Sequence, residues 1–356
     1  MPQPHTMPSE LPTPRTDLSA CRSALSTGSR SFWIASQLLP ERLKNAACGL
    51  YAFCREADDA IDEGGDAERA LLMLKQRLDD IYAGRPQASA TDRVLCQVVN
   101  QHHLPRELLD ALLEGFRWDA QGRRYDSLSA LYAYSARVAG TVGVMMTLLM
   151  GVRDQAVLAR AADLGVAMQL TNIARDVGED ARAGRLYLPL DTLNAVGLDP
   201  ADFLAAPVFS PAVAVVIESL LTAADSLYAR SRHGLSSLPW QYRQGILTAG
   251  ALYAGIGHQL RRLGHNSIDQ RSILSSYQKF QLLMQSMSEL KHPDDQLSAP
   301  PLPEVRFLLD AVRHHPAPSE SQAAAGNAAT NTSRTIWMLE LFAALEERPG
   351  AQQRRS

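Results

Sequence analysis

The stretch Tyr51–Asp62 reads YAFCREADDAID. On a helix, Asp58 and Asp62 stand four positions apart, so their carboxylates share a face. Arg55 precedes Asp59 by one turn, and Tyr51 precedes Arg55 by one turn. Ala52, Phe53, Cys54, Ala57, Ala60 and Ile61 fill the positions between them as packing residues. A like-charge pair at this spacing weakens an isolated helix slightly. A partly buried pair needs compensation. The stretch alone leaves open whether a metal ion, an arginine or water supplies it.

Around this stretch the chain reads as helix after helix. Leu18–Gly28 forms a first helix with Asp17 as its cap. Pro40 opens the helix that carries the acidic pair, and Gly64 and Gly65 end it. Ala67–Tyr82, Ala90–His102 and Arg106–Asp119 are amphipathic. Leu128–Leu149 is apolar on all sides and reads as a central helix. Gln155–Asp176 is a second central helix, with Ala161, Ala162, Gly165 and Ala167 permitting close approach of a neighbour. Leu190–Phe209 holds a short helix between loops. Ala212–His233, Ile246–Leu263 and Ser267–Leu290 complete the set. No alternating strand with a partner is present, so the fold class is all-α.

The chain divides into a flexible N-terminus over residues 1–17, an all-helical domain over 18–292, and a largely disordered Pro/Ala-rich tail over 293–356. A weak helix is expected at Ile336–Glu347. The N-terminus has no apolar core and reads as no signal peptide. No run of 18 or more apolar residues suggests a membrane span. The formal net charge of −3 gives no basic field for nucleic acid. Four cysteines without metal or disulfide spacing point to reduced thiols and a cytoplasmic protein.

A second acidic stretch, QLTNIARDVGEDARAGRLYLP, spans Gln169–Pro189. Asp176 and Asp180 are again four apart, with Glu179 beside them and Arg175 directly before. Asn172 and Gln169 fall on a related face. Gly178 lies between the carboxylates, where a better helix former would be more stable by about 1 kcal/mol. It signals either close approach of a neighbour or a loosened last turn. One acidic pair alone is weak evidence; two, each joined to an arginine on a mainly apolar helix, reinforce each other. Magnesium takes oxygen ligands and reaches proteins through a few carboxylates plus substrate phosphates. Arginines match the remaining phosphate oxygens. Together they point to a diphosphate held through bridging Mg²⁺. Solvated helix caps with ordinary salt bridges are the plain alternative. A di-iron bundle would use Glu-x-x-His pairs, and neither stretch contains His.

The residues also carry a family resemblance. SRSFWIASQLLP (29–40), YAFCREADDAID (51–62), YSARVAGTVG (134–143) and QLTNIARDVGEDARAGRLYLP (169–189) resemble the squalene/phytoene synthase family of head-to-head prenyl synthases, most of all its bacterial phytoene-forming members. The resemblance covers about residues 20–290. It implies an isoprenoid synthase fold, a helical bundle around a central cavity with the two aspartate motifs facing across it. It implies coupling of two geranylgeranyl diphosphates through prephytoene diphosphate to 15-cis-phytoene, with release of two diphosphates, in carotenoid biosynthesis. Use of farnesyl diphosphate to make squalene or dehydrosqualene is the alternative. Squalene formation needs NADPH, and the chain has no GxGxxG loop; none is expected for phytoene. A non-catalytic accessory role is a third reading, against which the retained aspartates argue.

By position, the resemblance makes Asp58, Asp62, Asn172, Asp176 and Asp180 ligands of Mg²⁺ or Mn²⁺. Arg55, Arg175 and Arg30, with Ser31 beside it, would hold diphosphate. Tyr51, Gln169, Asn172 and Tyr253 would face the substrate, and Tyr187 is a further family position. Ala136 stands where many relatives have tyrosine, a change expected to widen the pocket or move a proton-handling group. Val138–Met150 and Ile34–Leu39 are candidate walls. A greasy substrate and product imply peripheral contact with the inner membrane or with a downstream desaturase.

Overall fold

In the computed structural model, residues 15–28, 33, 35–63, 66–288 and 297–316 are described, without the side chains of residues 62, 63, 287 and 288. Every regular element among the described residues is helical. Helix α1 spans Arg15–Gly28 and α2 spans Glu41–Glu63. Next come α3 (Ala67–Tyr82), α4 (Ala90–His102) and α5 (Arg106–Ala120). Helix α6 (Leu128–Ser135) runs through one π turn, Ala136–Gly140, into α7 (Thr141–Leu149). Helix α8 (Gln155–Arg182) is the longest. The short α9 (Leu190–Ala195) and α10 (Pro200–Ala205) lead to α11 (Pro211–Arg232) and α12 (Trp240–Arg262). Helices α13 (Ser276–Ser288) and α14 (Arg306–His314) follow.

Side-chain caps fix many of the starts. Asp66, Ser89, Ser127, Asp154 and Ser210 each accept from a backbone N–H in the first turn of the helix that follows. Helix α8 is the axis of the bundle, buried over most of its length against α7, α11 and α12. Two glycines set its distance from the π turn and α7. A Cβ on Gly143 would stand 2.2 Å from the Ala161 carbonyl oxygen, and one on Gly165 would stand 2.2 Å from that of Ala139. The backbones therefore touch, as the small residues of this stretch predict.

Several boundaries differ from the sequence reading. Arg15–Asp17 are already helical, and Asp17 is no cap: its carboxylate accepts from Arg93 Nε at 2.7 Å and Nη2 at 2.8 Å. Helix α8 continues beyond Asp176 to Arg182, so the second acidic stretch lies within it. Helix α12 begins at Trp240 rather than Ile246. Residues 267–275 are not helical. Asn266 Oδ1 there accepts from the N–H groups of Ile268 and Asp269 and turns the chain. A reciprocal bond pair between Ser275 and Gln278 then starts α13.

Residues 297–316 belong to the folded body; the other residues of the sequence-defined tail lie outside the described residues. Val305, Leu308, Leu309 and Val312 are buried, and α14 packs on α5 and α8. The expected helix at 336–347 and the breakers Gly64 and Gly65 also lie outside the described residues. The segment Pro211–Ser237 is long and apolar enough to cross a membrane by composition alone. Its apolar residues Val213, Val216, Ile217, Leu220 and Leu221 are spent on the core.

Candidate active site

The helices enclose a cavity of about 330 Å³. Its walls are mostly hydrocarbon: Val138, Val142, Met146 and Met150 from the π turn and α7, Leu164 and Met168 from α8, and Ala35 and Leu39 from the segment before α2. The first and last of these groups are walls the sequence nominates, although Ile34 lies outside the described residues; Leu164 and Met168 of α8 are additions. Ala136 is fully buried and does not line the cavity. It begins the π turn and packs beside Gly140, so its small side chain serves helix packing there rather than a wider pocket.

One group of polar side chains gathers where α2 and α8 lead toward their acidic stretches. Tyr51 and Cys54 of α2 line the cavity, and Asp58 follows one turn later. Gln169 and Asn172 of α8 line it too, and Asp176 follows one turn later. The two acidic stretches thus continue from the same mouth. Tyr51 is half-buried, and burial pushes its hydroxyl above the usual phenol range. Burial likewise pushes the Cys54 thiol up to about 12, which keeps it neutral.

On α2, Arg55 is committed mainly to Asp59. Its Nε donates to Asp59 Oδ2 at 3.1 Å and its Nη2 lies 2.7 Å from Oδ1. Asp58 is 3.6 Å from Arg55 Nη1. Asp59 is therefore the counter-ion of Arg55, while Asp58 lies on the face that leads from the cavity. Asp62 belongs to the same helix, but its side chain lies outside the described residues, as do Arg30 and Ser31.

On α8, Arg175 grips its neighbour Asp176: Nε donates to Oδ1 at 2.8 Å and Nη2 to Oδ2. Two arginines that the sequence reading did not nominate complete the surroundings. Arg271 Nε donates to Asp176 Oδ1 at 3.1 Å, and its Nη1 is 3.5 Å from Glu179. Arg185 Nε is 3.5 Å from Asp180 Oδ1. Arg271 arrives on the loop that Gly178 admits. A Cβ on Gly178 would stand 2.5 Å from the Ile268 carbonyl oxygen, and the Gly178 N–H donates to Ser267 O at 3.1 Å. Close approach, not a loosened turn, explains this glycine.

Tyr187 acquires a structural setting. Its hydroxyl donates to Asp119 Oδ1 at 2.7 Å, and Tyr134 donates to Oδ2 at 2.7 Å. The two rings stack at 5.3 Å. This latch fixes the segment after α8 beside Asp180 and Arg185, which share a small void with Tyr187. Tyr253 is buried on α12, within electrostatic reach of Arg175.

The donor set suits a hard cation. Asn172 Oδ1 is buried and accepts no hydrogen bond. Burial pushes the Asp180 carboxyl up to about 6, with Arg185 pulling it down and Asp176 pushing it up. An orphaned oxygen and a carboxylate held back from ionising both gain from a nearby cation. Among the described residues, no three His, Cys, Asp or Glu side chains are grouped closely enough to hold a metal by themselves. Oxygen donors of this kind suit a hard divalent cation that also takes phosphate and water as ligands.

The comparisons agree with this geometry. A family model described as squalene/phytoene synthase matches residues 25–278. A phytoene synthase of Cereibacter sphaeroides is 49% identical over 323 residues, covering 86% of this chain and 91% of its own. A 15-cis-phytoene synthase of Paracoccus sp. is 41% identical over 269 residues, covering 73% of this chain and 87% of its own. The crystal structure of a dehydrosqualene synthase in complex with ligand superposes with a TM-score of 0.72 at 30% identity, over 78% of this chain and 97% of that one. Matched by the family model over residues 25–278 and 49% identical to a phytoene synthase over 86% of its length, the chain belongs to the squalene/phytoene synthase family.

Proposed function

We propose that this chain is a 15-cis-phytoene synthase. It condenses two geranylgeranyl diphosphates head-to-head through prephytoene diphosphate, releases two diphosphates and acts in carotenoid biosynthesis. One observation carries the reading: a hydrocarbon-walled cavity opens between two acidic, arginine-rich helix segments. The identity to phytoene synthases over most of the chain supports the product.

The residues divide the work. Asp58, Asp62, Asn172, Asp176 and Asp180 would hold Mg²⁺ or Mn²⁺, which draws negative charge from the departing diphosphate. Arg55, Arg175 and Arg30, together with Arg271 and Arg185, neutralise phosphate oxygens and favour ionisation. Ser31, Tyr51, Gln169, Asn172 and Tyr253 orient the reacting end of the substrate. The Val138, Val142, Met146 and Met168 walls keep water from the allylic cation. That cation is attacked by the double bond of the second substrate, and proton loss closes the cyclopropane of prephytoene diphosphate. Its ionisation, rearrangement and second proton loss give phytoene. Released diphosphate is available as the base, so no buried tyrosine at position 136 is required.

The deciding assay supplies purified protein with geranylgeranyl diphosphate and Mg²⁺, followed by organic extraction. Phytoene is expected without NADPH; its absence under every lipid and detergent condition overturns the proposal. The alternative, a farnesyl diphosphate-using squalene or dehydrosqualene synthase, is favoured by the likeness to the solved dehydrosqualene synthase. Competition between the two substrates separates them. The proposal includes a cytoplasmic location with loose contact to the inner membrane or a downstream desaturase. Activity confined to the soluble fraction and indifferent to lipid would count against that contact.

A further inference from the structure

The far end of the cavity is closed by buried charge. Arg160 lines it and is 1% exposed. It lies a little over three turns before Asn172 on α8, about 18 Å along the axis. Its Nε is 3.0 Å from Asp163 Oδ2. Nε and Nη1 are both buried without a hydrogen-bond partner, so the contact with Asp163 is an ion pair. Asp163 is fully buried, and Arg230 Nε donates to the same Oδ2 at 3.0 Å, while Oδ1 has no hydrogen-bond partner. Arg230 Nη2 donates to the Pro300 carbonyl at 2.9 Å, and Arg160 Nη2 reaches the same oxygen at 3.5 Å. Two guanidinium groups therefore converge on one carboxylate oxygen, with the chain before α14 laid across them.

This arrangement differs from every other part of the wall. Met146 or Leu164 can change rotamer around a hydrocarbon guest. Arg160 has its buried head ion-paired with a buried carboxylate and set against a main-chain carbonyl. A prenyl tail cannot solvate that head, and displacing it would unpair charges inside the protein. The side chain is thus a stiff stop at a fixed distance from the polar mouth. Gly234 stands directly against this stem: a Cβ there would lie 2.7 Å from Arg160 Cβ and 3.2 Å from its Cγ. A side chain at position 234 would therefore press on the base of the arginine.

Resting on the prenyl synthase reading above, we propose that Arg160 is the specificity-determining floor of the cavity. The terminal isoprene unit of the substrate stops against it, and its height sets the accepted chain length. Removing the stem deepens the cavity; pushing the stem inward shortens it.

The test measures kcat/KM for farnesyl, geranylgeranyl and geranylfarnesyl diphosphates by diphosphate release, in wild type, Arg160→Ala and Gly234→Ala. Far-UV circular dichroism checks that each variant is folded. Arg160→Ala is expected to raise the geranylfarnesyl-to-geranylgeranyl ratio about tenfold or more, the scale of discrimination by a few methylenes. Gly234→Ala is expected to raise the farnesyl-to-geranylgeranyl ratio. A general loss of stability lowers all three rates together and leaves both ratios alone. Unchanged ratios in the folded variants overturn the proposal. If Arg160→Ala does not fold, Gly234→Ala decides by itself, and no shift toward the shorter substrate is the overturning result. Wild-type protein that turns over none of the three diphosphates refutes the prenyl synthase reading, a separate outcome that removes the basis for this proposal.

Discussion

In the proposed reaction the chemistry turns on Asp58 and Asp176, and their surroundings differ. Asp58 is loosely paired with Arg55, at 3.6 Å, whereas Asp176 is held by both Arg175 and Arg271. Neither belongs to the buried core, so replacing a carboxylate by its amide keeps shape and helix. Asp58→Asn and Asp176→Asn are each expected to lower turnover well over tenfold, the scale of losing an electrostatic group at a reacting centre. The circular dichroism spectrum should be unchanged. Wild-type turnover in either variant would refute the metal assignment. Gly178 makes a different prediction at the same scale. A methyl group there meets the Ile268 carbonyl oxygen at 2.5 Å, and backbone cannot yield as a side-chain tip can. Gly178→Ala should destabilise the protein by about 1–3 kcal/mol through overpacking. It should also depress turnover, because the loop it displaces carries Arg271. Thermal denaturation and steady-state kinetics check the two effects separately; a variant with wild-type stability removes the packing argument.

At the scale of elements, local spacing was enough to read most helices, and non-local contact explains the exceptions. YAFCREADDAID and QLTNIARDVGEDARAGRLYLP expose their carboxylates through a four-residue period, which is a property of one helix. Arg271 carried no such signal, since it reaches Asp176 from 95 positions away. Asp119 likewise binds Tyr187 at a separation of 68. The helical pattern of 267–275 lost to an asparagine turn and to the approach of the chain onto Gly178. The α14 segment looked like tail because its prolines and its distance from the motifs concealed an apolar face that the bundle covers. Helices α11 and α12 show another long-range device. Arg261 donates to both Glu218 oxygens, at 2.9 and 3.1 Å, and to Asp225 at 2.7 Å, while His265 Nε2 lies 2.7 Å from Glu218. The Arg261 guanidinium, chiefly through its hydrogen bonds, holds the Glu218 carboxyl down at about 2. Its folded value lies below the unfolded one, so the stabilisation is present above about pH 4.3. It is lost as the pH falls toward about 2. Glu218→Gln should flatten the fall of melting temperature over that acid window. An identical acid limb in wild type and variant would show that this pair does not couple folding to protons.

At the scale of the whole molecule, the proposed metal ligands are divided between two helices, and a diphosphate is the natural bridge between them. The described carboxylates are divided between α2 and α8, and several are already engaged by arginine. Divalent metal alone must therefore compete with those guanidinium groups and finds few oxygen donors at any one point. Inorganic diphosphate changes both conditions, since it supplies phosphate oxygens to the metal and new partners to the arginines. Binding to the folded state alone raises apparent stability by mass action. Mg²⁺ with diphosphate should therefore raise the melting temperature by several degrees, while either one alone should raise it far less. Chelation should abolish both the shift and turnover while leaving helical content intact, because the helices are held by the apolar core rather than by metal. In Asp176→Asn the combined shift should shrink toward that of diphosphate alone. Equal shifts from Mg²⁺ alone and from the pair would mean that the protein carries a complete metal site of its own, and the shared-ligand account would then fail.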